Sequence, residues 1–76
     1  MQSVTISLNS IEKVKSFVST ISQFDNDFDL VSGRYKIDAK SIMGIFSLDL
    51  SRPIELRIHI DEPNEEILNA LKPYLA

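Results

Sequence analysis

The chain has no cysteine and no tryptophan, only two glycines and three prolines, and a single histidine among its 76 residues. Without cysteine there is no disulfide framework and no thiolate metal site to stabilise a small fold. One imidazole and no thiol leave too few nitrogen and sulfur ligands for a transition-metal centre. The scarcity of glycine and proline excludes collagen-like and low-complexity character, and no glycine-rich phosphate loop can be formed. Positive charge is also short, 8 basic residues against 11 acidic ones for a net charge of −3. Lys and Arg nowhere cluster with aromatics, so a nucleic-acid or anionic-membrane surface is not expected. No apolar run approaches the roughly 20 residues of a membrane span. The opening MQSVTISL lacks the basic and apolar regions of a signal peptide, which makes cytoplasmic residence the expectation.

What the chain does have is 43% apolar residues in two distinct periods. A chain this short holds one core, so residues 1–76 are expected to form a single domain. Val4, Ile6 and Leu8 alternate with Ser3, Thr5 and Ser7, the pattern of a half-buried strand. The period then lengthens: Ile11, Val14, Phe17, Val18, Ile21 and Phe24 form one stripe of an amphipathic helix of about four turns. Asn9 with Glu12 reads as a capping box at its start, and Asp25-Asn26-Asp27 ends it. Extended runs over 27–31 and 34–39 follow, joined by a tight turn at Ser32-Gly33. Phe28 and Leu30 are expected to face the core from one, Tyr35, Ile37 and Ala39 from the other.

Between Ser41 and Leu50 the alternation stops and a short helix is predicted, with Ser41 at its N-cap. Pro53 closes the irregular stretch after it. Over 54–60, Ile54, Leu56, Ile58 and Ile60 point inward while Glu55, Arg57 and His59 point outward. A last helix starts near Pro63, with Glu65 and Glu66 in its first turn and Lys72 in its last. Ile67, Leu68, Leu71, Tyr74 and Leu75 line one of its faces. The order is β-α-β-β-α-β-α, an α+β arrangement whose economical packing is one sheet with all helices on one face and a polar face opposite.

Chemistry-bearing groups are few. Asp25, Asp27 and Asp29 alternate, but they lack the glycine and terminal glutamate of a calcium loop and read as a turn and strand edge. No nucleophile–base pair is visible, so no enzyme and no cofactor are expected. The short helix is different, because it is apolar on two stripes, Ile45/Leu48 and Met43/Phe46. A helix of about two turns buries one stripe. Met43 and Phe46 therefore either fill a small core or form an adaptable surface beside Gly44.

The stretch Ala39-Lys40-Ser41-Ile42-Met43-Gly44-Ile45-Phe46-Ser47-Leu48 resembles the regulatory-serine segment of HPr, the phosphocarrier of the bacterial phosphotransferase system. The likeness runs without gaps from about Phe24 to Ile60, and more loosely through the last helix. It implies the HPr-like open-faced sandwich, a four-stranded antiparallel sheet with three helices on one face. It further implies that Ser41 is a regulatory phosphorylation site for an ATP-dependent kinase. Ile42, Met43 and Phe46 would then supply the apolar contacts to a protein partner: HPr kinase, an Enzyme I-like protein or a transcriptional regulator. HPr carries phosphate on a histidine at the start of its first helix, followed closely by arginine and proline. Leu8-Asn9-Ser10-Ile11-Glu12-Lys13 has none of these, so phosphohistidine transfer there is expected to be lost. Asp49 and Pro53 stand where HPr has glycines. His59 reads as a solvated strand residue, the alternative being a non-standard phosphoryl acceptor.

Overall fold

The change of period after Leu8 marks the first element boundary. In the computed structural model, which describes all of residues 1–76, strand β1 (Gln2–Ile6) gives way to helix α1 (Ile11–Ile21). Strands β2 (Phe28–Ser32) and β3 (Tyr35–Asp38), helix α2 (Ile42–Phe46), strand β4 (Ile54–Ile58) and helix α3 (Glu65–Leu71) follow. A 3-10 turn over Lys72–Tyr74 closes the fold. The sheet is antiparallel throughout, in the order β1-β4-β2-β3. This is the expected α+β architecture, with four strands and three helices.

Register explains the two faces. Val4 pairs with Leu56, which pairs with Leu30, which pairs with Ile37, so one row of apolar side chains crosses the sheet. The neighbouring row, Ser3, Arg57, Asp29 and Asp38, points the other way because side chains alternate along each strand. Sixteen residues are buried, all of them apolar or aromatic, and they form a single cluster. Val14, Phe17 and Ile21 enter it from α1, Ile45 from α2, Ile67 and Leu71 from α3.

The chain end is fastened to this core. Tyr74 stacks edge-on against Phe17, with centroids 5.5 Å apart, and its hydroxyl shares hydrogen bonds with Ser16 Oγ (2.5 Å) and Thr20 Oγ1 (3.3 Å). The Ser7 amide donates to the Tyr74 carbonyl and the Ala76 amide to the Thr5 carbonyl, which adds a short segment along the free edge of β1.

Four details depart from the sequence reading. Helix α1 is capped by Ser10, not Asn9: Ser10 is extended and its Oγ accepts from the Lys13 amide at 3.1 Å. The helix starts at Ile11, so Lys13, not Glu12, occupies the third position. It also ends at Ile21, about three turns long; Phe24 lies in the turn beyond and leans on Phe28 instead. The hairpin turns at Gly33-Arg34, one residue later than expected, because Ser32 still pairs with Tyr35. Gly33 has φ +59, the left-handed region that glycine enters without strain. Finally, Tyr35 lies on the inward row yet is 69% exposed; it is the first residue of the edge strand β3, next to the hairpin turn.

Candidate functional site

Helix α2 is a single turn and a half suspended between β3 and β4. Ser41 sits at its N-cap in an extended conformation, and its Oγ accepts from the Gly44 amide at 3.2 Å. The hydroxyl proton of Ser41 is not used in that bond, and the residue is exposed. Gly44 leaves room for this arrangement: a Cβ there would lie 3.2 Å from both Ser41 Oγ and Ile37 Cδ1, tighter than ordinary packing. Lys40, next to the serine, is held elsewhere. Its Nζ donates to the Phe24 carbonyl at 2.7 Å and stands 5.6 Å over the Phe28 ring.

One stripe of the segment is core and the other is surface. Ile45 is fully buried and Leu48 nearly so, while Met43 is 78% and Phe46 41% exposed. Ile42 is half-buried against the core and offers only part of its side chain outward. The two-stripe pattern therefore resolves as an exposed apolar patch, since the turn is too short to carry a second layer over itself.

Phe46 continues into an open groove of about 450 Å³ shared with Leu50 and Ser51 on one wall and Asn9, Ser10 and Ile11 on the other. Ile11 and Leu50 were not singled out from the sequence as surface groups. Ile11 belongs to the periodic stripe of α1, but as the first helical residue it overhangs the core and is 62% exposed. The usable signal was its position at the helix start, where a stripe residue has no sheet beneath it.

One carboxylate stands beside this groove, hydrogen-bonded to its Ser51. Asp49 Oδ1 accepts from the Ser51 hydroxyl at 2.6 Å and the Ser51 amide at 3.1 Å, and Arg52 Nε lies 3.8 Å from Oδ2. The Ser51 hydroxyl first, then its amide, and the Arg52 charge last hold the Asp49 carboxyl below its ordinary value. At neutral pH it is an anion beside the apolar patch.

On the opposite face of the sheet, His59 is not a freely solvated side chain. Its Nε2 lies 2.5 Å from Asp29 Oδ2, and Lys36 Nζ lies 3.6 Å from the same oxygen. The pairing of β2 with β4 creates this cluster from residues 30 positions apart, which is why no local motif announced it.

The model of the family described as "PTS HPr component phosphorylation site" matches residues 12–76. The chain belongs to the HPr family. Its fold is that of HPr-C-His from Thermoanaerobacter tengcongensis, with a TM-score of 0.75 and 33% identity over 93% of this chain and 86% of that one. It is also similar to the phosphocarrier protein HPr of Bacillus anthracis, with a TM-score of 0.70 and 28% identity over 99% of this chain and 94% of that one. HPr proteins are phosphocarriers of the phosphotransferase system and work through contacts with its other proteins; they are not themselves enzymes. The match begins at Glu12, the second residue of α1. It therefore contains the Ser41–Phe46 segment and the chain's one imidazole, but not the junction Leu8–Ile11 that leads into the helix.

Proposed function

We propose that this HPr-family chain is a binding and regulatory protein of the phosphoenolpyruvate-dependent sugar phosphotransferase system, switched by phosphorylation at Ser41 and without phosphohistidine transfer at α1. One observation carries the reading: an exposed serine hydroxyl stands beside exposed Met43 and Phe46 in a chain that buries most of its other large apolar side chains. Met1 and Leu75 are exposed at the termini and Tyr35 at a strand tip, where the fold explains them. Ile11 is exposed at a helix start, whereas Met43 and Phe46 lie side by side on one helix next to the serine. Together they give a partner a flexible thioether and an aromatic ring to close upon.

The junction into α1 argues against carrier chemistry of the usual kind. Transfer through a histidine needs an imidazole nucleophile there with a cation beside the phosphate. Asn9 and Ser10 supply neither, and a serine phosphate ester does not pass its phosphoryl group on as phosphohistidine does. Ser41 suits a different event. Its Oγ attacks the γ-phosphorus of ATP held by a kinase, ADP leaves, and the hydroxyl proton passes to a base on the kinase. The product adds roughly −1.5 to −2 charges beside the apolar patch, changing which partner the surface accepts.

The partner is a protein of the HPr kinase, Enzyme I-like or transcriptional-regulator type, engaged through Ser41–Phe46. The net charge of −3 disfavours nucleic acid and anionic membrane alike, and the site of action is the cytoplasm. The test is incubation with HPr kinase and ATP, read by intact mass. One phosphate on the wild-type chain and none on Ser41→Ala is expected. Equal labelling of both, or labelling of neither, overturns the switch.

A further inference from the structure

We infer that Met43 is an oxidation site at which hydroperoxides reversibly switch off the α2 surface, a role that rests on the proposed use of Met43 and Phe46 as a partner's contact.

The sequence directs sulfur chemistry to very few atoms. With no cysteine and no tryptophan, the two methionines are the side chains a hydroperoxide attacks most readily. Both lie at the surface, Met1 at 65% and Met43 at 78% exposure, and no methionine belongs to the buried core. The α2 segment is held through buried Ile45 and Leu48, so its seat on the sheet is untouched when the other stripe changes. Oxidation alters the surface and leaves the core alone.

The two methionines differ in their surroundings. Met1 precedes β1 at the chain end, whereas Met43 follows the Ser41 cap by two residues and stands one helical turn before Phe46. A partner that closes on this pair takes the thioether out of water. Sulfoxide formation replaces that flexible apolar group by a polar, chiral one. Its oxygen is a hydrogen-bond acceptor, and docking buries it against a surface shaped for a thioether, where it goes unpaired. Lys40 offers no compensation from this chain, because its Nζ is held by the Phe24 carbonyl at 2.7 Å.

A sulfur lone pair of Met43 attacks one oxygen of the hydroperoxide. The S–O bond forms as the O–O bond breaks, and the proton on the attacked oxygen passes to the departing one. With hydrogen peroxide the leaving product is water; the sulfur loses two electrons and the peroxide gains them. A dithiol acting through methionine sulfoxide reductases reverses the step, the oxygen leaving as water while the dithiol becomes a disulfide.

The experiment treats the full chain with limiting hydrogen peroxide, removes the peroxide, and follows Ser41 phosphorylation by HPr kinase and ATP. Peptide mass spectrometry locates the added oxygen, and thermal unfolding reports on the fold. The expected result is Met43 sulfoxide with an unchanged Tm. Phosphorylation should slow about tenfold or more, the scale of one buried polar group left unpaired. Both stereospecific reductases with dithiothreitol should restore the rate. Met43→Leu, compared only with its own untreated rate, should be insensitive to peroxide although it retains Met1. Oxidation confined to Met1, a lowered Tm, an unslowed rate after Met43 oxidation, or equal slowing of Met43→Leu overturns the inference alone. An untreated chain that the kinase leaves unmodified overturns the proposed switch at Ser41 and this inference together.

Discussion

Helices α1 and α2 begin in the same way and end up serving opposite purposes. Each is opened by an extended serine whose Oγ accepts the amide three residues on, Ser10 from Lys13 at 3.1 Å and Ser41 from Gly44 at 3.2 Å. Yet α1 runs for 11 residues and buries Val14, Phe17 and Ile21, whereas α2 runs for 5 and buries Ile45 alone. A cap starts a helix without deciding what it is for. Length decides that: three turns seat a whole stripe on the sheet, and a turn and a half leaves Met43 and Phe46 over solvent.

The comparison breaks most visibly if core residues are removed from both helices. Phe17→Ala should cost about 3–5 kcal/mol and Ile45→Ala about 2–5, against a net stability of roughly 4–11 kcal/mol for a chain of this size. Urea denaturation should therefore find Phe17→Ala close to unfolded. If Ile45→Ala proved harmless, α2 would not be anchored through its buried stripe. The caps come next. Ser10→Ala and Ser41→Ala should each lose about 0.5–2 kcal/mol, with Ser41→Ala at the lower end because its helix contributes less to the core. Equal midpoints for wild type and Ser10→Ala would put the cap of α1 elsewhere.

Most of the architecture was legible because the two periods are clean. The alternation of Ile54, Leu56 and Ile58 and the three- and four-residue steps from Val14 to Ile21 each identify a buried face unaided. The errors fall where one residue decides between neighbours. Asn9 and Ser10 are both good caps, and only the true first helical residue selects Ser10. Ser32-Gly33 and Gly33-Arg34 both place glycine in a turn, and strand register chooses between them. Of the site, the Ser41 cap and the surplus stripe could be read locally. The groove wall at Ile11 and the contact of His59 with Asp29 could not, since both are made by residues that only the sheet and the helix packing bring together.

Two smaller effects sharpen the contrast. Gly44→Ala should leave stability within about 0.5 kcal/mol, since the gain of up to ~1 kcal/mol in helix propensity is offset by crowding Ile37 and Ser41. The same added methyl group should slow phosphorylation of Ser41, measured as initial rate with HPr kinase. Smallest of all is Asp49. Its folded carboxyl lies below the ordinary 3.8, so its stabilising contribution is present above that pH and is lost as pH falls through the lowered value. Urea midpoints of wild type and Asp49→Asn should differ slightly at neutral pH and converge in acid. A gap that widens on acidification would contradict the Ser51 contacts.

The most direct measurement is made on the Met43→Ser/Phe46→Ser double variant, comparing thermal unfolding with the rate of Ser41 phosphorylation by HPr kinase. A Tm close to wild type with phosphorylation slowed by an order of magnitude or more is the result expected of a surface kept for a partner. A variant that unfolds would show the pair to be core, and one that is phosphorylated at the wild-type rate would show that no partner uses it.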